Sequence, residues 1–145
     1  MKRTCITTIL TLATATAVLA HQGVSNPAVM ARMQGMTAIS GHLKTLGEMT
    51  KGTRAFDAAT ARAAAAGIAE HAAAVPALFK APETDPKSEA LPVIWDSYDT
   101  FTGLSDELQV LASELAQTIS SPADLRPAMG ALAANCKACH GRFRE

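Results

Sequence analysis

The sequence has little of several features that would point to particular classes of protein. Its 145 residues include 13 lysines and arginines against 13 aspartates and glutamates, so the formal net charge is zero. This balance excludes a strongly basic nucleic-acid-binding protein and a protein with an acidic tail. Aromatic residues make up only 4% of the chain, whereas β-sheets favour aromatic and β-branched side chains. No run of alternating β-branched residues is present, so we expect one all-α domain.

Four segments show the apolar spacing of amphipathic helices. Pro76 is expected to end or kink the second of them, because proline lacks a backbone N–H. Four such helices with mostly short connections predict an antiparallel up-down-up-down four-helix bundle, a fold that holds cofactors between facing helices. The segments run from Pro27 to about Lys51, from Asp57 to about Ala74, from about Leu91 to Ile119, and from Ser121 onwards.

The first 20 residues have the pattern of a secretory signal peptide. Lys2 and Arg3 precede an apolar, threonine-rich stretch that ends in the small-residue cleavage site Val18-Leu19-Ala20. The stretch is short and rich in threonine for a membrane span, although an uncleaved anchor is the alternative. The pattern predicts export and a mature domain of residues 21–145 without a membrane span. Cleavage would also remove Cys5 and leave 11 basic and 13 acidic residues.

The motif with the most chemical information is Cys136-Lys137-Ala138-Cys139-His140. On a helix, residues three and four positions apart share a face, so the two thiols and the imidazole would point the same way. Two thiols at this spacing can add to the two vinyl groups of one haem, and the histidine can present a ring nitrogen to the iron. C-x-x-C-H is the attachment pattern of c-type haem. The sequence therefore predicts one covalent haem c, with His140 as an iron ligand.

Three other interpretations of this motif fit less well. A zinc site needs four ligands, and the rest of the mature chain offers His21, His42 and His71, which form no ligand pair. Of these, His42 is expected at the surface. A thioredoxin-like dithiol belongs in a βαβ setting, and a structural disulfide would leave His140 without a role.

With this motif on the last helix, the chain resembles a class II cytochrome c, the cytochrome c′ family. The resemblance rests on the ending C-K-A-C-H-x-x-F-R, on Arg32 in the first helix and on Leu-Gly-Glu-Met-Thr-Lys-Gly at that helix's end, and it covers residues 24–145. It implies a periplasmic protein that is no enzyme and that carries single electrons between redox partner proteins.

The resemblance also implies which residue faces the other side of the iron. In the family this residue lies four positions after the characteristic arginine, which places Met36 there. Low-spin members use a methionine sulfur as the sixth ligand and carry electrons, whereas five-coordinate members have an open face that binds diatomic gases such as NO or CO. The first-helix pattern favours the low-spin branch with Met36 as a metal ligand. A core role for Met36 in a methionine-rich stripe is the simpler alternative.

Three more residues receive roles from the resemblance. Arg32 would contact a haem propionate, and Arg144, one helical turn after His140, would tune the iron from the proximal side. Trp95 is expected either at the haem edge or in the core. Family members often form homodimers through their first two helices, and the alanine-rich second helix is compatible with such a contact.

Overall fold

Four long helices and one short helix make up the computed structural model, which describes residues 23–145. They are α1 (Pro27–Thr50), α2 (Ala58–Leu78), α3 (Val93–Asp96), α4 (Tyr98–Thr118) and α5 (Pro122–Phe143). Helices α1 and α4 each pack against both α2 and α5. This arrangement is a four-helix bundle and confirms the predicted fold class. In the described part of the chain, no helix has the length and apolar character needed to cross a membrane. The predicted signal peptide, residues 1–20, and His21 lie outside it.

Capping residues fix where the long helices begin. The side chain of Asn26 accepts hydrogen bonds from two N–H groups in the first turn of α1, and Pro27 occupies the first helical position. Asp57 accepts from a first-turn N–H of α2 in the same way. At the start of α5, the carboxylate of Asp124 accepts from the backbone N–H of Ser121 at 2.8 Å. Each cap satisfies backbone groups that have no partner inside the helix, so these starts agree with the sequence prediction.

Helix α2 continues through Pro76 to Leu78, so the predicted end near Ala74 is wrong. Proline cannot donate to the carbonyl four residues earlier, which belongs to Ala72. That carbonyl instead accepts a hydrogen bond of 2.7 Å from the buried hydroxyl of Ser105 on α4. The neighbouring helix thus replaces the missing bond, and the partner lies too far along the chain for local sequence patterns to reveal it.

The third predicted helix is divided into two helices. Ser97 separates α3 from α4 with φ −129° and ψ 41°, outside the helical region. Leu91, where this helix was expected to begin, lies before α3 and pairs with the chain end, since its N–H donates to the carbonyl of Phe143 at 3.0 Å. Ile94 and Phe101 from the two pieces are buried together, and the apolar spacing therefore continues across the break.

Two apolar clusters form the interior. The first, here called the alanine cluster, lies among the four long helices; the second, the aromatic cluster, includes residues from all five helices. Five of the six aromatic residues belong to the aromatic cluster. The buried members of the alanine cluster are Ile39, Leu46, Met49, Ala61, Ala64, Ala65, Ile68, Ala69, Ala72, Leu108, Ala112, Ile119, Leu125, Ala128 and Leu132. Those of the aromatic cluster are Val75, Phe79, Ile94, Phe101 and Phe143.

Helices α1 and α2 approach closely at a glycine. A β-carbon on Gly67 would lie 2.3 Å from Nε2 of His42, so the imidazole fills the space that the missing side chain leaves. The same ring stacks on His71, with 5.8 Å between ring centroids. His42 is therefore half-buried between two helices instead of lying at the surface as expected. The position of His42 on its own helix does not show that a glycine of the neighbouring helix leaves space for its ring.

Candidate functional site

The last turns of α5 carry Cys136, Cys139 and His140. Both thiols are free and half-buried, and the imidazole is exposed. Burial raises the pKa of both thiols, and the charge of Cys136 raises the pKa of Cys139 further. In the described chain, no group of three or more histidine, cysteine or acidic side chains is arranged to hold a metal ion. Two neutral thiols one helical turn apart, next to an accessible imidazole, suit covalent attachment of a haem.

Met36 and Cys139 both pack against the aromatic cluster, although they come from α1 and α5. Met36 also contacts the alanine cluster, so its half-buried side chain lies where the two clusters meet. The structure thus brings the predicted attachment residue and the predicted distal methionine to one apolar region. Aromatic rings, aliphatic side chains and a thioether are the surroundings that a large flat apolar cofactor needs, so the residues present fit a haem.

Arg32 is 3% exposed and is bound to the chain that follows α2. Its Nε donates to the carbonyl of Leu78 at 2.9 Å, and its two terminal nitrogens donate to those of Glu83 at 2.7 Å and Ala81 at 2.5 Å. The guanidinium also lies 4.8 Å from the ring centroid of Phe79. Burial lowers the pKa of Arg32, and the nearby Glu83 opposes the shift. Arg32 therefore anchors residues 78–83 to α1, while its contact with a haem propionate remains a prediction.

Trp95 is a half-buried member of the aromatic cluster. Its indole N–H donates to the carbonyl of Phe79 at 2.8 Å, and its ring lies 5.4 Å from the guanidinium carbon of Arg32. Trp95 therefore packs in the core, which is one of the two positions that the sequence left open. Its position at the edge of a haem remains a prediction.

Arg144 directly follows α5 with φ −131° and ψ 145°, so it does not continue the helix as its spacing of four residues from His140 predicted. Its backbone N–H donates to the carbonyl of His140 at 3.2 Å, and its side chain is half-exposed and forms an ion pair with Glu89. Partial burial lowers the pKa of His140, the charge of Arg144 lowers it further, and Glu89 opposes both effects. Both charged side chains are therefore close enough to His140 to change its electrostatic surroundings.

Glu89 is the residue at this site that sequence analysis missed. It falls in a polar, proline-containing segment, where an acidic residue is unremarkable. Its partner Arg144 is 55 positions away in the sequence, so no local pattern could join them. The packing role of Phe79, in contrast, could have been predicted from the sequence. In a chain with few aromatic residues, each one that follows the apolar stripe of a helix is a candidate for the main packing site.

Comparisons with known proteins agree with the motif and the fold. A sequence profile described as Cytochrome C′ matches residues 27–144. The chain is 36% identical over 102 residues to a cytochrome c′ of Rhodopseudomonas palustris, covering 70% of each chain. It is 35% identical over 115 residues to a cytochrome c-556 of Agrobacterium tumefaciens, covering 79% of this chain and 91% of the relative. A solved cytochrome c′ from Rhodopseudomonas palustris has a TM-score of 0.77 at 31% identity, covering 83% of this chain and 97% of that one.

Proposed function

The chain belongs to the cytochrome c′ family, and from this we propose that it is a periplasmic carrier of single electrons in which His140 and Met36 would bind the haem iron. Members of the family bind a covalently attached haem c and are haem-binding carriers. When bound, the haem supplies an iron that takes up and releases one electron. The residues of this chain attach the group, orient it and set its surroundings.

Attachment and proximal ligation are assigned to α5. The S–H of Cys136 and that of Cys139 would each add across one vinyl group, which forms two thioether bonds and needs no other reactant. His140 would supply the proximal nitrogen from the position directly after the second thioether. Because all three side chains belong to one helix that also packs on α1 and α4, their relative positions are fixed before the ligand arrives.

The assignment of Met36 depends on one observation above all. Its side chain and that of Cys139 pack on the same aromatic cluster from different helices, so α1 presents a thioether side chain to the region where α5 presents the thiol of Cys139. A thioether is a soft ligand that favours ferrous iron, and methionine–histidine ligation raises the reduction potential. These properties suit a carrier of electrons.

An absorption spectrum of the reduced protein with and without CO tests this assignment. We expect low-spin bands that CO leaves unchanged in the wild-type protein. Met36→Leu keeps the side-chain volume and removes the sulfur, so CO should then shift the spectrum. Met33→Leu is the matched control, since Met33 lies on the same helix and is equally half-buried; it should behave like the wild-type protein. A CO-induced shift in the wild-type protein would overturn Met36 as a ligand.

A second candidate function is the binding of NO or CO at an open distal face. It is favoured by the match to the Cytochrome C′ profile and by the gas-binding relatives in the family. Met36 would then be a packing residue between the two clusters. The same spectra decide between the candidates, because an open face gives high-spin bands that move when CO is added.

The remaining parts of the proposal concern location and assembly. We assign residues 1–20 as a cleaved leader, which the mass of the mature protein would test. Redox proteins are the proposed partners. We also propose a homodimer through α1 and α2, because the exposed side of α2 carries many small side chains, including Ala59, Ala63, Ala66, Ala73, Ala74 and Ala77. Sedimentation of the purified protein would test that assembly.

A further inference from the structure

The end of the chain is fastened to the segment before α3 by backbone hydrogen bonds. The N–H of Leu91 donates to the carbonyl of Phe143 at 3.0 Å, and the N–H of Glu145 donates to the carbonyl of Glu89 at 2.9 Å. Ala90 and Arg144 form an isolated antiparallel bridge between these bonds. The bridge lies four residues after His140. It therefore fixes the backbone of Glu89 and Arg144 with respect to the proximal ligand.

Positive charge is concentrated along the last turns of α5 and the residue that follows it. Lys137, Arg142 and Arg144 are exposed within eight residues, and Arg142 is held by a hydrogen bond of 3.2 Å to the hydroxyl of Ser97. Of these three residues, Arg144 forms an ion pair, and its partner is the carboxylate of Glu89. Among the residues described, Arg142 and Lys137 have no ion-pair partner. Glu89 is thus the counter-charge that the fold brings to the proximal end.

We propose that Glu89 lowers the reduction potential of the iron by offsetting the positive charge that Arg144 places beside His140. The inference depends on the haem attachment and proximal ligation proposed above. A positive charge near the iron favours the reduced state, because reduction adds an electron, and a carboxylate at a similar distance opposes this effect. The ion pair is half-exposed, so it contributes little to folding stability; its consequence is electrostatic, and salt should weaken it.

Potentiometric titration of the holoprotein at low ionic strength is the direct test. Glu89→Gln should raise the midpoint potential and Arg144→Gln should lower it. The double variant should return close to the wild-type value, since both charges are then absent. Glu89→Asp keeps the charge and should resemble the wild-type protein. High salt should shrink every shift.

Controls separate this charge effect from damage to the site. Glu107→Gln removes an exposed carboxylate in the middle of α4 and should leave the potential unchanged. Amide exchange at Leu91 and Glu145 reports whether the bridge survives in each variant. Equal shifts in Glu89→Gln and Glu89→Asp, or no shift in Glu89→Gln, would overturn the inference. A protein without covalent haem would instead overturn the proposed function, so the two failures are distinguishable.

Discussion

The two clusters of the interior are built in different ways. The alanine cluster consists of small and aliphatic side chains, most of them fully buried, and small side chains let the four long helices approach closely. The aromatic cluster has five buried members and a half-buried edge that includes Met36, Trp95, Tyr98 and Cys139. One cluster therefore provides close packing, whereas the other has thioether, thiol and aromatic side chains at its boundary.

Side-chain hydrogen bonds orient two rings of the aromatic cluster. In the aromatic cluster, the indole of Trp95 and the hydroxyl of Tyr98 both donate to backbone carbonyls near the end of α2, those of Phe79 and Pro76. These bonds specify one orientation for each ring, which dispersion contacts alone would not do. The comparison suggests that the alanine cluster carries most of the stability and that the aromatic cluster positions the site.

Removal of both thiols is the change with the largest expected effect, and it acts at the proposed haem site. Cys136→Ala with Cys139→Ala should abolish covalent haem completely, because no other cysteine of the mature domain can form a thioether. The mass of the exported protein, made in a host that attaches haem c, should equal that of its polypeptide. Cys5→Ser is the control and should retain the haem, since residue 5 belongs to the predicted leader. Haem that stays covalently bound in the double variant would contradict the assignment.

A cavity in the alanine cluster should have the next largest effect. Leu132 on α5 is 0% exposed, so Leu132→Ala should lower the free energy of unfolding by about 2–5 kcal/mol. Val110 on α4 is 58% exposed, and Val110→Ala should change it by less than about 0.5 kcal/mol. Urea titration of the holoproteins measures both. Similar losses in the two variants would refute the idea that stability is concentrated in this cluster.

The fold was largely predictable because its signals are local. The residues Asn26, Asp57 and Asp124 mark helix starts through side chains that act within one turn, and alanine content favours close helix packing. The end of α2 and the break at Ser97 were not predictable. The end of α2 depends on a distant partner, since Ser105 satisfies the carbonyl opposite Pro76. At the break, the partner of the Ser97 hydroxyl is Arg142, 45 positions away.

The site, like the fold, was predictable only where its residues are close in the sequence. The spacing of Cys136, Cys139 and His140 determines their shared face, and the resemblance supplied Met36, which does pack near Cys139. The anchoring contacts of Arg32 and the pairing of Glu89 could not be predicted. Both join residues about 50 positions apart, and neither produces a periodic pattern.

Loss of the Arg32 anchor should weaken the aromatic cluster without opening a large cavity. Arg32→Gln leaves carbonyls at residues 78–83 without their donors, and such unpaired buried groups cost about 1–3 kcal/mol in the free energy of unfolding. The tryptophan fluorescence of Trp95 should change as well, because the guanidinium lies over its ring. Arg126→Gln, an exposed change on α5, should alter neither measurement. A stable variant with unchanged fluorescence would show that Arg32 does not hold this region.

The smallest predicted effect concerns Asp85. Its carboxylate connects the residues before α1 to the loop between α2 and α3. Asp85 is 9% exposed and accepts from the backbone N–H groups of Lys87, Ser25 and Asn26 at 2.9, 2.9 and 3.1 Å. These bonds, that of Lys87 first and then that of Ser25, lower the pKa of Asp85 to about 2 from 3.8. A lowered folded-state pKa means that the carboxylate stabilises the protein above the unfolded-state value and loses this contribution as pH falls towards 2.

Asp85→Asn should therefore be less stable than the wild-type protein at pH 6, with a difference that shrinks between pH 4 and pH 2 as the wild-type carboxylate takes up a proton. Urea titrations at three pH values measure this, and Asp106→Asn, an exposed change on α4, is the control. A difference that stays constant with pH would mean that the asparagine alters packing and that the charge of Asp85 contributes nothing. The attachment of this loop to α1 would then depend on the hydrogen bonds that Arg32 donates to Leu78, Ala81 and Glu83.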